Sequence, residues 1–210
     1  TLCSVYFGGG TPSLWQTEEL GRVLSAIVST FPSHDSPLEI TVECNPNSLD
    51  DETAAGLRDI GVNRVSLGVQ SLRDEVLVFL GRQHTAKEAL FALERARRAG
   101  FTNVGADLIF GIPEHRFRHE LEDARTLVSC GITHLSAYAL SIEKNTELGR
   151  LLADGHLRPT ADNRVARTLM AFDAELEAQG FEHYEISNYA RPGYRSAHNQ
   201  GTWKGEPYLG

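Results

Sequence analysis

A run of three glycines followed by Thr11 and Pro12 is the first stretch of the sequence that could do chemistry. The run GGGTP comes directly after the short apolar segment 4–7, which is typical of a β-strand. Glycines adopt positive φ and let backbone N–H groups approach a ligand without interference from a side chain. The run lacks the lysine and the spacing of a GxxxxGK[ST] phosphate loop, and it is not GxGxxG. These residues alone leave two interpretations open, a tight strand-to-helix turn and a cradle that binds a ligand through its backbone.

Four polar residues stand in or near other apolar segments, where they could reach a ligand: Glu43, Gln70, Arg82 and Asp107. The Glu43 carboxylate could pair with an amine or accept ribose hydroxyls, and the Gln70 amide could bind a sugar diol. Arg82 could grip a carboxylate through two parallel hydrogen bonds. Asp107 interrupts an apolar run, and a buried carboxylate is costly without a partner, which favours a functional role. The structural alternatives for the first three are a loop-bracing carboxylate, a satisfied interior amide and a solvated surface arginine.

The carboxyl-terminal segment HNQGTW offers a different chemistry, because it combines an imidazole with an indole. A neutral His198 could ligate a metal or a haem iron, and Trp203 presents a flat face to a planar ligand. We place both residues in a loop-rich region after the strand-like segment 183–189. A lone histidine in a loop usually binds neither metal nor haem, so this alternative also stays open.

Apolar runs that alternate with helical periodicity must position these residues. We predict five strands, at 4–7, 38–44, 64–69, 104–109 and 134–142, and a sixth strand-like segment at 183–189. Helices are predicted at 17–31, 49–60, 73–80, 86–99, 116–129 and 161–179, with Asp50 as the N-cap and Gly61 as the stop of the second. This alternation indicates an α/β fold with a parallel sheet, open or closed into a barrel. Ligands bind at the carboxyl ends of the strands in such sheets, which is where most of these polar residues stand.

Bulk composition excludes some classes of protein. The 210 residues are 41% hydrophobic and 23% charged, as in an ordinary globular domain. A net charge of -8 argues against a nucleic-acid-binding surface, which requires a basic patch. No apolar run approaches the ~20 residues of a membrane span, and no signal peptide is visible. The cysteines, Cys3, Cys44 and Cys130, are too widely spaced for a metal-ligand cluster and indicate buried thiols in a reducing, cytoplasmic compartment.

Eight motifs in collinear order resemble the HemW family, whose members are radical-SAM relatives of the oxygen-independent coproporphyrinogen III oxidases. The motifs are GGGTPSL, VECNPNSLD, RVSLGVQSL, GRQH, DLIFGIP, HLSAYALSIE, YEISNYA and HNQGTW. The resemblance implies a partial (β/α)6 radical-SAM barrel in which the segment 4–7 is the second strand and the first strand is missing. It divides the chain into a barrel core at 1–143 and a segment at 144–210, which holds the end of the barrel and the start of a HemW-type carboxyl-terminal region.

The resemblance also implies a site for S-adenosylmethionine at the strand ends. Its contacts, carried over position by position, are Gly9, Gly10, Thr11, Glu43, Gln70, Arg82, Asp107 and Ala139. The family's CxxxCxxC motif, whose thiolates hold a [4Fe–4S] cluster, is absent, and the three cysteines cannot replace it at their spacing. We therefore expect the cluster ligands to lie upstream in a longer protein, and we expect no radical chemistry from the chain as given.

For that longer protein, the segments ECNP, VQS and HNQGTW favour a haem chaperone over the oxidase. The chaperone would bind haem at His198 and Trp203 and deliver it to haem-requiring proteins, although Thr202 stands where the family has tyrosine. The alternative is an enzyme that decarboxylates the propionates of coproporphyrinogen III through a 5′-deoxyadenosyl radical. A third alternative is an unrelated α/β domain for another nucleotide, in which the implied contacts would not converge on one cavity.

Overall fold

The computed structural model describes residues 2–31, 37–113 and 117–210, which form a seven-stranded sheet flanked by helices. The strands are β1 Ser4–Phe7, β2 Glu39–Cys44, β3 Arg64–Gln70, β4 Asn103–Phe110, β5 His134–Ala139, β6 Glu182–Glu185 and β7 Asn188–Ala190. The helices are α1 Thr17–Thr30, α2 Asp51–Asp59, α3 Asp74–Phe79, α4 Ala86–Arg98, α5 Phe117–Ser129, α6 Glu147–Ala153, α7 Asp162–Ala178 and α8 Ala197–Trp203. Short 3₁₀ turns, Pro12–Leu14 and Pro46–Ser48, follow β1 and β2.

Parallel pairing of β1 through β5 makes up most of the sheet. The strand order is β1-β2-β3-β4-β5-β7-β6, and only the last two strands run antiparallel to their neighbours. Glu43 on β2 pairs in register with Ser66 on β3, and Asp107 on β4 pairs with Ser136 on β5. Helices connect the successive parallel strands, as βαβ units require. The α/β fold with a mainly parallel sheet is confirmed.

The sheet is curled, because elements from its two ends meet. Helix α8 follows β7, near one end of the sheet, yet it packs against β1 at the opposite edge. There the imidazole of His198 stacks on the ring of Tyr6. The sheet is therefore a half-barrel with a concave inner face and a convex outer face, and the expected partial barrel is confirmed.

The two faces of the half-barrel differ in polarity, because successive side chains of a strand point to opposite faces. The outer face is apolar and packs on the helices, with Val42, Leu67 and Ala106 at 0% exposure. The inner face carries the polar side chains at alternate positions. They are Tyr6, Glu39, Thr41, Glu43, Arg64, Ser66, Gln70, Asp107, His134, Ser136 and Tyr138. The hydrophobic core thus lies between the outer face and the helices, and the polar side chains line the concave inner face.

Helix ends follow local capping rules. The Asp50 carboxylate accepts the N–H of Thr53 at 2.7 Å and caps α2, and Gly61 follows that helix with a φ of +100°, both as predicted. Thr85 and Glu88 form a reciprocal capping box at the start of α4. Among the helices of the described segments, none is long and apolar enough to cross a membrane.

Predictions for the carboxyl-terminal third are wrong in several respects. Strand β5 ends at Ala139 rather than at 142, and the segment 183–189 is two antiparallel strands joined by a turn, so the sheet is not wholly parallel. Helix α6 was not predicted. The region expected to be loop-rich contains α8, so His198 and Trp203 lie in a helix. This seven-residue helix contains Gly201, a poor helix former, and it forms because other elements hold it.

Candidate functional site

The glycine run after β1 is a turn with free space beside its backbone. Gly9 and Gly10 have φ values of +79° and +65°, which residues with a side chain rarely adopt. A Cβ added to either glycine would meet no atom within 4 Å, so a ligand can approach this backbone. Thr11 is the N-cap before the 3₁₀ turn Pro12–Leu14, and its side chain makes no capping hydrogen bond. The loop therefore has the geometry that a ligand cradle requires.

Glu43, at the end of β2, lies between the glycine run and a tyrosine. Its Oε1 accepts the hydroxyl of Tyr6 at 2.6 Å, and its Oε2 accepts the N–H of Gly9 at 3.1 Å. Burial, and then the hydrogen bond to this carboxylate, raises the pKa of Tyr6, so the phenol stays protonated and acts as the donor. A Cβ on Gly8 would lie 2.6 Å from the Tyr6 ring, which explains a glycine there. Glu43 is thus oriented by two donors and keeps lone pairs for a ligand.

The loops after β1 and β2 are joined to each other. The hydroxyls of Ser13 and Ser48 share a short hydrogen bond, and the N–H of Asn45 donates to Ser13 Oγ at 3.3 Å. Ser13 is 4% exposed. The link fixes the position of the glycine run relative to the loop that follows Glu43.

Gln70 ends β3 in an uncommon backbone conformation, with a φ of +66°. A non-glycine residue in this region carries strain of about 1 kcal/mol or more. The next residues are anchored by Asp123 of α5, which accepts the Ser71 hydroxyl at 2.7 Å and the Leu72 N–H at 2.8 Å. Arg73 Nε lies 3.4 Å from the same carboxylate. Ser71 therefore has a structural role, and Asp123 holds the strained Gln70 at the strand end.

Asp107 lies on the inner face of β4. The Ser66 hydroxyl donates to its Oδ1 at 3.3 Å. Burial raises the pKa of Asp107 from 3.8 to about 6, and the Glu43 charge adds to the increase, whereas Ser136, Arg64 and Ser66 oppose it. Because two neighbouring carboxylates repel each other, a cationic ligand between Asp107 and Glu43 would stabilise both in the ionised form.

Arg82 and Ala139 lie near the carboxyl ends of the strands but take no part in the contacts of Glu43 and Asp107. Arg82 is exposed in the connection between α3 and α4, and its guanidinium forms no hydrogen bond or ion pair within the described segments. The adjacent His84 is buried and holds this connection against β3 through a 3.0 Å hydrogen bond between its Nε2 and the Val69 carbonyl. Ala139 is the exposed last residue of β5. Both residues can meet a ligand at the strand ends, but neither touches Glu43 or Asp107.

A second polar layer lies deeper on the inner face. Arg64 is 2% exposed, and its Nη1 is 3.5 Å from the Thr41 hydroxyl. His134 Nε2 lies 2.7 Å from the Tyr184 hydroxyl. Burial, and then the positive charge of Arg64, holds the pKa of His134 well below its ordinary value, so this imidazole is neutral. The buried guanidinium is therefore a fixed positive charge beneath Asp107.

His198 and Trp203 line one cavity of about 480 Å³, together with Tyr138, Glu185, Ile186, Ser187, Asn188, Asn199 and Thr202. Three of its apolar or aromatic side chains have large exposed fractions, 66% for Ile186, 59% for Trp203 and 44% for Tyr138. No residue in the described segments hydrogen-bonds a ring nitrogen of His198. The cavity therefore combines an uncommitted imidazole with an exposed apolar wall.

Two residues of the inner face hold α8 in place. Glu39 accepts the N–H groups of Ala197 at 3.0 Å and of His198 at 3.2 Å, and the Ser196 hydroxyl at 3.3 Å. Tyr6 stacks on His198 with 4.4 Å between ring centroids and 20° between planes. The cavity of His198 thus adjoins the strand-end residues, because Tyr6 contacts both His198 and Glu43.

Sequence reasoning missed four residues that shape this site, namely Tyr6, Glu39, Arg64 and Asp123. A signal for Glu39 and Arg64 exists in EITVEC and RVSLGVQ, where polar and apolar residues alternate. A strand of a parallel sheet with both faces covered usually lacks this alternation, so the pattern indicates one polar face.

The cysteines do not form a metal site. Cys44 is buried at the end of β2, where burial raises the pKa of its thiol to about 12. Cys3, just before β1, is exposed and Cys130, just after α5, is half-buried, so the expectation of buried thiols is wrong for Cys3. In the segments that the structure describes, no group of three or more His, Cys, Asp and Glu side chains could hold a metal ion. These residues do not fit a [4Fe–4S] cluster.

Comparison with known proteins identifies the family, since residues 4–147 match the radical SAM superfamily. The chain belongs to this superfamily. It is 35% identical over 209 residues to the heme chaperone HemW of Bacillus subtilis (strain 168), which covers 100% of this chain and 55% of the relative. It is 39% identical over 209 residues to the mitochondrial radical S-adenosyl methionine domain-containing protein 1 of Bos taurus, covering 99% of this chain and 47% of the relative. The chain spans about half the length of these curated relatives.

A solved structure shares the fold. Coproporphyrinogen III oxidase (HemN) from Escherichia coli, described as a radical SAM enzyme, superimposes with a TM-score of 0.77 over 97% of this chain and 46% of that one. At 23% sequence identity, this likeness shows the fold alone. The half-barrel is therefore the partial barrel of a radical SAM protein, and the resemblance seen in the motifs is confirmed.

Membership in the radical SAM superfamily implies S-adenosylmethionine and a [4Fe–4S] cluster as cofactors. The strand-end residues fit S-adenosylmethionine, because open glycine backbone lies beside two carboxylates that suit its ammonium and sulfonium charges. Glu43 contacts Gly9 directly, Asp107 shares the inner face with Glu43, and Gln70 ends the strand between them. The cluster has no fitting ligands among the described residues.

Proposed function

We propose that this chain is the S-adenosylmethionine-binding part of a haem chaperone of the HemW type. The whole protein would bind haem in the cavity of His198 and Trp203 and pass it to haem-requiring acceptor proteins in the cytoplasm. The proposal keeps a barrel core at 1–143 and a segment at 144–210 that begins the carboxyl-terminal region. Cluster and S-adenosylmethionine would serve the transfer or its regulation.

The observation that carries the haem proposal is the uncommitted imidazole of His198 inside a cavity with exposed apolar walls. A neutral imidazole with a free ring nitrogen is a common axial ligand of haem iron. The porphyrin is flat and apolar, and it would cover Trp203, Ile186 and Tyr138, which are otherwise exposed to water. Binding would therefore bury apolar surface and also give the free ring nitrogen of His198 a partner, the haem iron.

For S-adenosylmethionine, we assign the backbone of Gly9, Gly10 and Thr11 to the methionine portion. The cationic groups would pair with Glu43 and Asp107, which the structure places on one face. The Gln70 amide suits the ribose hydroxyls, the Arg82 guanidinium suits the ligand carboxylate, and Ala139 would contribute backbone. When bound beside this site, the cluster supplies the electron that cleaves S-adenosylmethionine in radical chemistry.

A haem titration of the full-length protein tests the proposal. We expect His198→Ala to weaken haem binding at least tenfold in a Soret-band titration, since the variant lacks the axial ligand. Trp203→Ala should weaken it less, because it removes apolar contact alone. His156→Ala is the matched control, as His156 is exposed and outside the cavity, and it should bind haem like the wild type.

A different outcome would overturn the chaperone. Robust decarboxylation of coproporphyrinogen III under anaerobic reducing conditions, with haem affinity unchanged in His198→Ala, would identify an oxidase instead. S-adenosylmethionine binding is measured separately by equilibrium dialysis, where Glu43→Gln should reduce affinity at least tenfold because a charge-assisted hydrogen bond is lost.

A further inference from the structure

We propose that Tyr6 couples the two ligand sites, so that S-adenosylmethionine and haem bind cooperatively. The inference rests on the proposed function, which supplies the two ligands. Tyr6 would have a positioning role, because it contacts Glu43 on one side and His198 on the other. Neither the sequence motifs nor the names of the relatives indicate this role.

The first step is that Tyr6 is held in one position. Its hydroxyl donates to Glu43 Oε1 at 2.6 Å, and Glu43 Oε2 in turn accepts the N–H of Gly9 at 3.1 Å. The ring lies so close to Gly8 that a Cβ there would clash at 2.6 Å. A displacement of Glu43 must therefore move the phenol or break a short, charge-assisted hydrogen bond.

The second step concerns the imidazole. Tyr6 covers one face of the His198 ring, at 4.4 Å between centroids and 20° between planes. The lone pair of an imidazole nitrogen lies in the ring plane, so the stack leaves a nitrogen free to bind iron. By fixing the ring plane, Tyr6 also fixes the direction from which the iron must approach. The tyrosine thus orients the axial ligand without occupying its coordinating atom.

The third step connects the Glu43–Tyr6 hydrogen bond with the stack of Tyr6 on His198. A ligand ammonium that pairs with Glu43 restrains the carboxylate, the carboxylate restrains the Tyr6 hydroxyl, and the phenol ring restrains the plane of His198. The contacts are already formed without ligand, so the first ligand to bind restricts their remaining motion, and the second ligand then meets less conformational freedom. Because coupling free energies are reciprocal, each ligand must tighten the other by the same factor. We expect a factor of about five or more.

The chain offers a matched control for the decisive substitution. Tyr189 stacks on His183 at 4.4 Å and 16°, and its hydroxyl donates to Asp173 at 2.6 Å. This pair reproduces the two contacts of Tyr6 but lies between β7 and α7, on the outer side of the sheet. Tyr6→Phe and Tyr189→Phe therefore remove the same hydroxyl from the same arrangement, once inside the site and once outside it.

The experiment measures haem affinity of the full-length protein by Soret titration, with and without saturating S-adenosylmethionine. We expect the wild type and Tyr189→Phe to bind haem about fivefold or more tightly when S-adenosylmethionine is present. In Tyr6→Phe the ring still stacks but the bond to Glu43 is gone, so each ligand should bind and the coupling factor should fall to about one. Tyr6→Leu, which also removes the stack, should in addition broaden the electron paramagnetic resonance signal of ferric haem.

Each outcome decides the matter. Haem affinity that is unchanged or weakened by S-adenosylmethionine in the wild type overturns the coupling, and so does full coupling in Tyr6→Phe. If both ligands bind independently, only the coupling fails, whereas the absence of haem or S-adenosylmethionine binding in the wild type removes the proposed function itself. Circular dichroism and thermal unfolding of every variant separate loss of coupling from loss of fold.

Discussion

The ring of Tyr6 on β1 lies face to face with the imidazole of His198 on α8, although nearly the whole chain separates the two residues in sequence. The contact joins the first strand of the sheet to the last helix and places that helix along the inner face. A seven-residue helix has too few internal hydrogen bonds to be stable by itself in water. Its position, and with it the cavity of His198, therefore depends on what the inner face provides.

Glu39 provides the second anchor of α8, and its removal should separate the two ligand sites functionally. In Glu39→Ala, the Ser196 hydroxyl and the N–H groups of Ala197 and His198 lose a charged acceptor. We expect haem affinity to fall about tenfold or more, since hydrogen bonds to charged groups contribute ~1.5–3 kcal/mol. S-adenosylmethionine affinity, measured without haem, should change less than twofold, because the hydrogen bonds of Glu39 go to α8 and its N-cap Ser196.

Glu94→Ala serves as the control for Glu39→Ala. Glu94 is exposed on α4, and its nearest charge is Arg98 at 4.0 Å. Both affinities should equal those of the wild type in this variant. Equal haem affinity in Glu39→Ala and Glu94→Ala, measured by Soret titration, would show that α8 does not need its carboxylate anchor.

The order of strands and helices could be predicted because each element carries its own local signal. Hydrophobic period, the cap at Asp50 and the stop at Gly61 depend on neighbouring residues only. The rule that parallel strands place their carboxyl ends at one edge then brought Glu43 and Gln70 together, with Asp107 on the same inner face but in the middle of β4. Local pattern and one topological rule were sufficient for this part.

Features that depend on distant contacts could not be predicted. Helix α8 lacks a strong pattern, and its stability comes from Glu39, which lies more than 150 residues away in sequence. Tyr6 looks like an ordinary apolar strand residue until the curl of the sheet brings His198 onto it. The positive φ of Gln70 has no local signal either, and the residues that follow it are held by Asp123 on the distant α5.

Asp107 should make the stability of the fold depend on pH. Its pKa is about 6 in the folded chain, above the ordinary 3.8, so the folded state binds this proton more tightly than the unfolded state. The resulting stabilisation is complete below the unfolded pKa and is lost as the pH rises through about 6. Above that pH, the ionised carboxylate lowers the free energy of unfolding by roughly 2–3 kcal/mol. Asp107→Asn should therefore be more stable than the wild type near pH 7.5, and the difference should shrink towards about pH 4.

Urea unfolding at several pH values measures this difference, with Asp59→Asn as the control. Asp59 is exposed on α2, so its replacement should leave the pH dependence unchanged. A stability difference between Asp107→Asn and the wild type that is constant across the whole pH range would contradict the raised pKa. In the wild type, S-adenosylmethionine should also bind more weakly below about pH 6, because a protonated Asp107 no longer attracts its cationic groups.

Arg64 should set the pH at which S-adenosylmethionine binding weakens. Its buried guanidinium lowers the pKa of Asp107 against the effect of burial, and Arg64→Met removes that charge with little change in side-chain length. We expect the midpoint of the pH dependence of S-adenosylmethionine affinity to move upward by about one unit. Arg58→Met is the control, since Arg58 packs on Phe101 at 5.1 Å on the outer side and should leave the midpoint in place. A midpoint in Arg64→Met that is unchanged or lower would exclude this role.

Gln70→Gly should separate stability from binding, because the residue is strained in the folded state. Glycine adopts a φ of +66° without the steric cost of ~1–2 kcal/mol, which offsets the ~0.5–1 kcal/mol that the greater freedom of glycine costs in the unfolded chain. The free energy of unfolding should therefore stay level or rise by up to about 1 kcal/mol. The same substitution removes the amide that we assign to the ribose, and S-adenosylmethionine affinity should fall about tenfold. Gln179 is the matched control, since it has a φ of -97° at the end of α7 and Gln179→Gly should destabilise the fold instead. Urea unfolding and equilibrium dialysis give both quantities, and a Gln70→Gly variant that is destabilised as much as Gln179→Gly would show that the φ of Gln70 stores no strain.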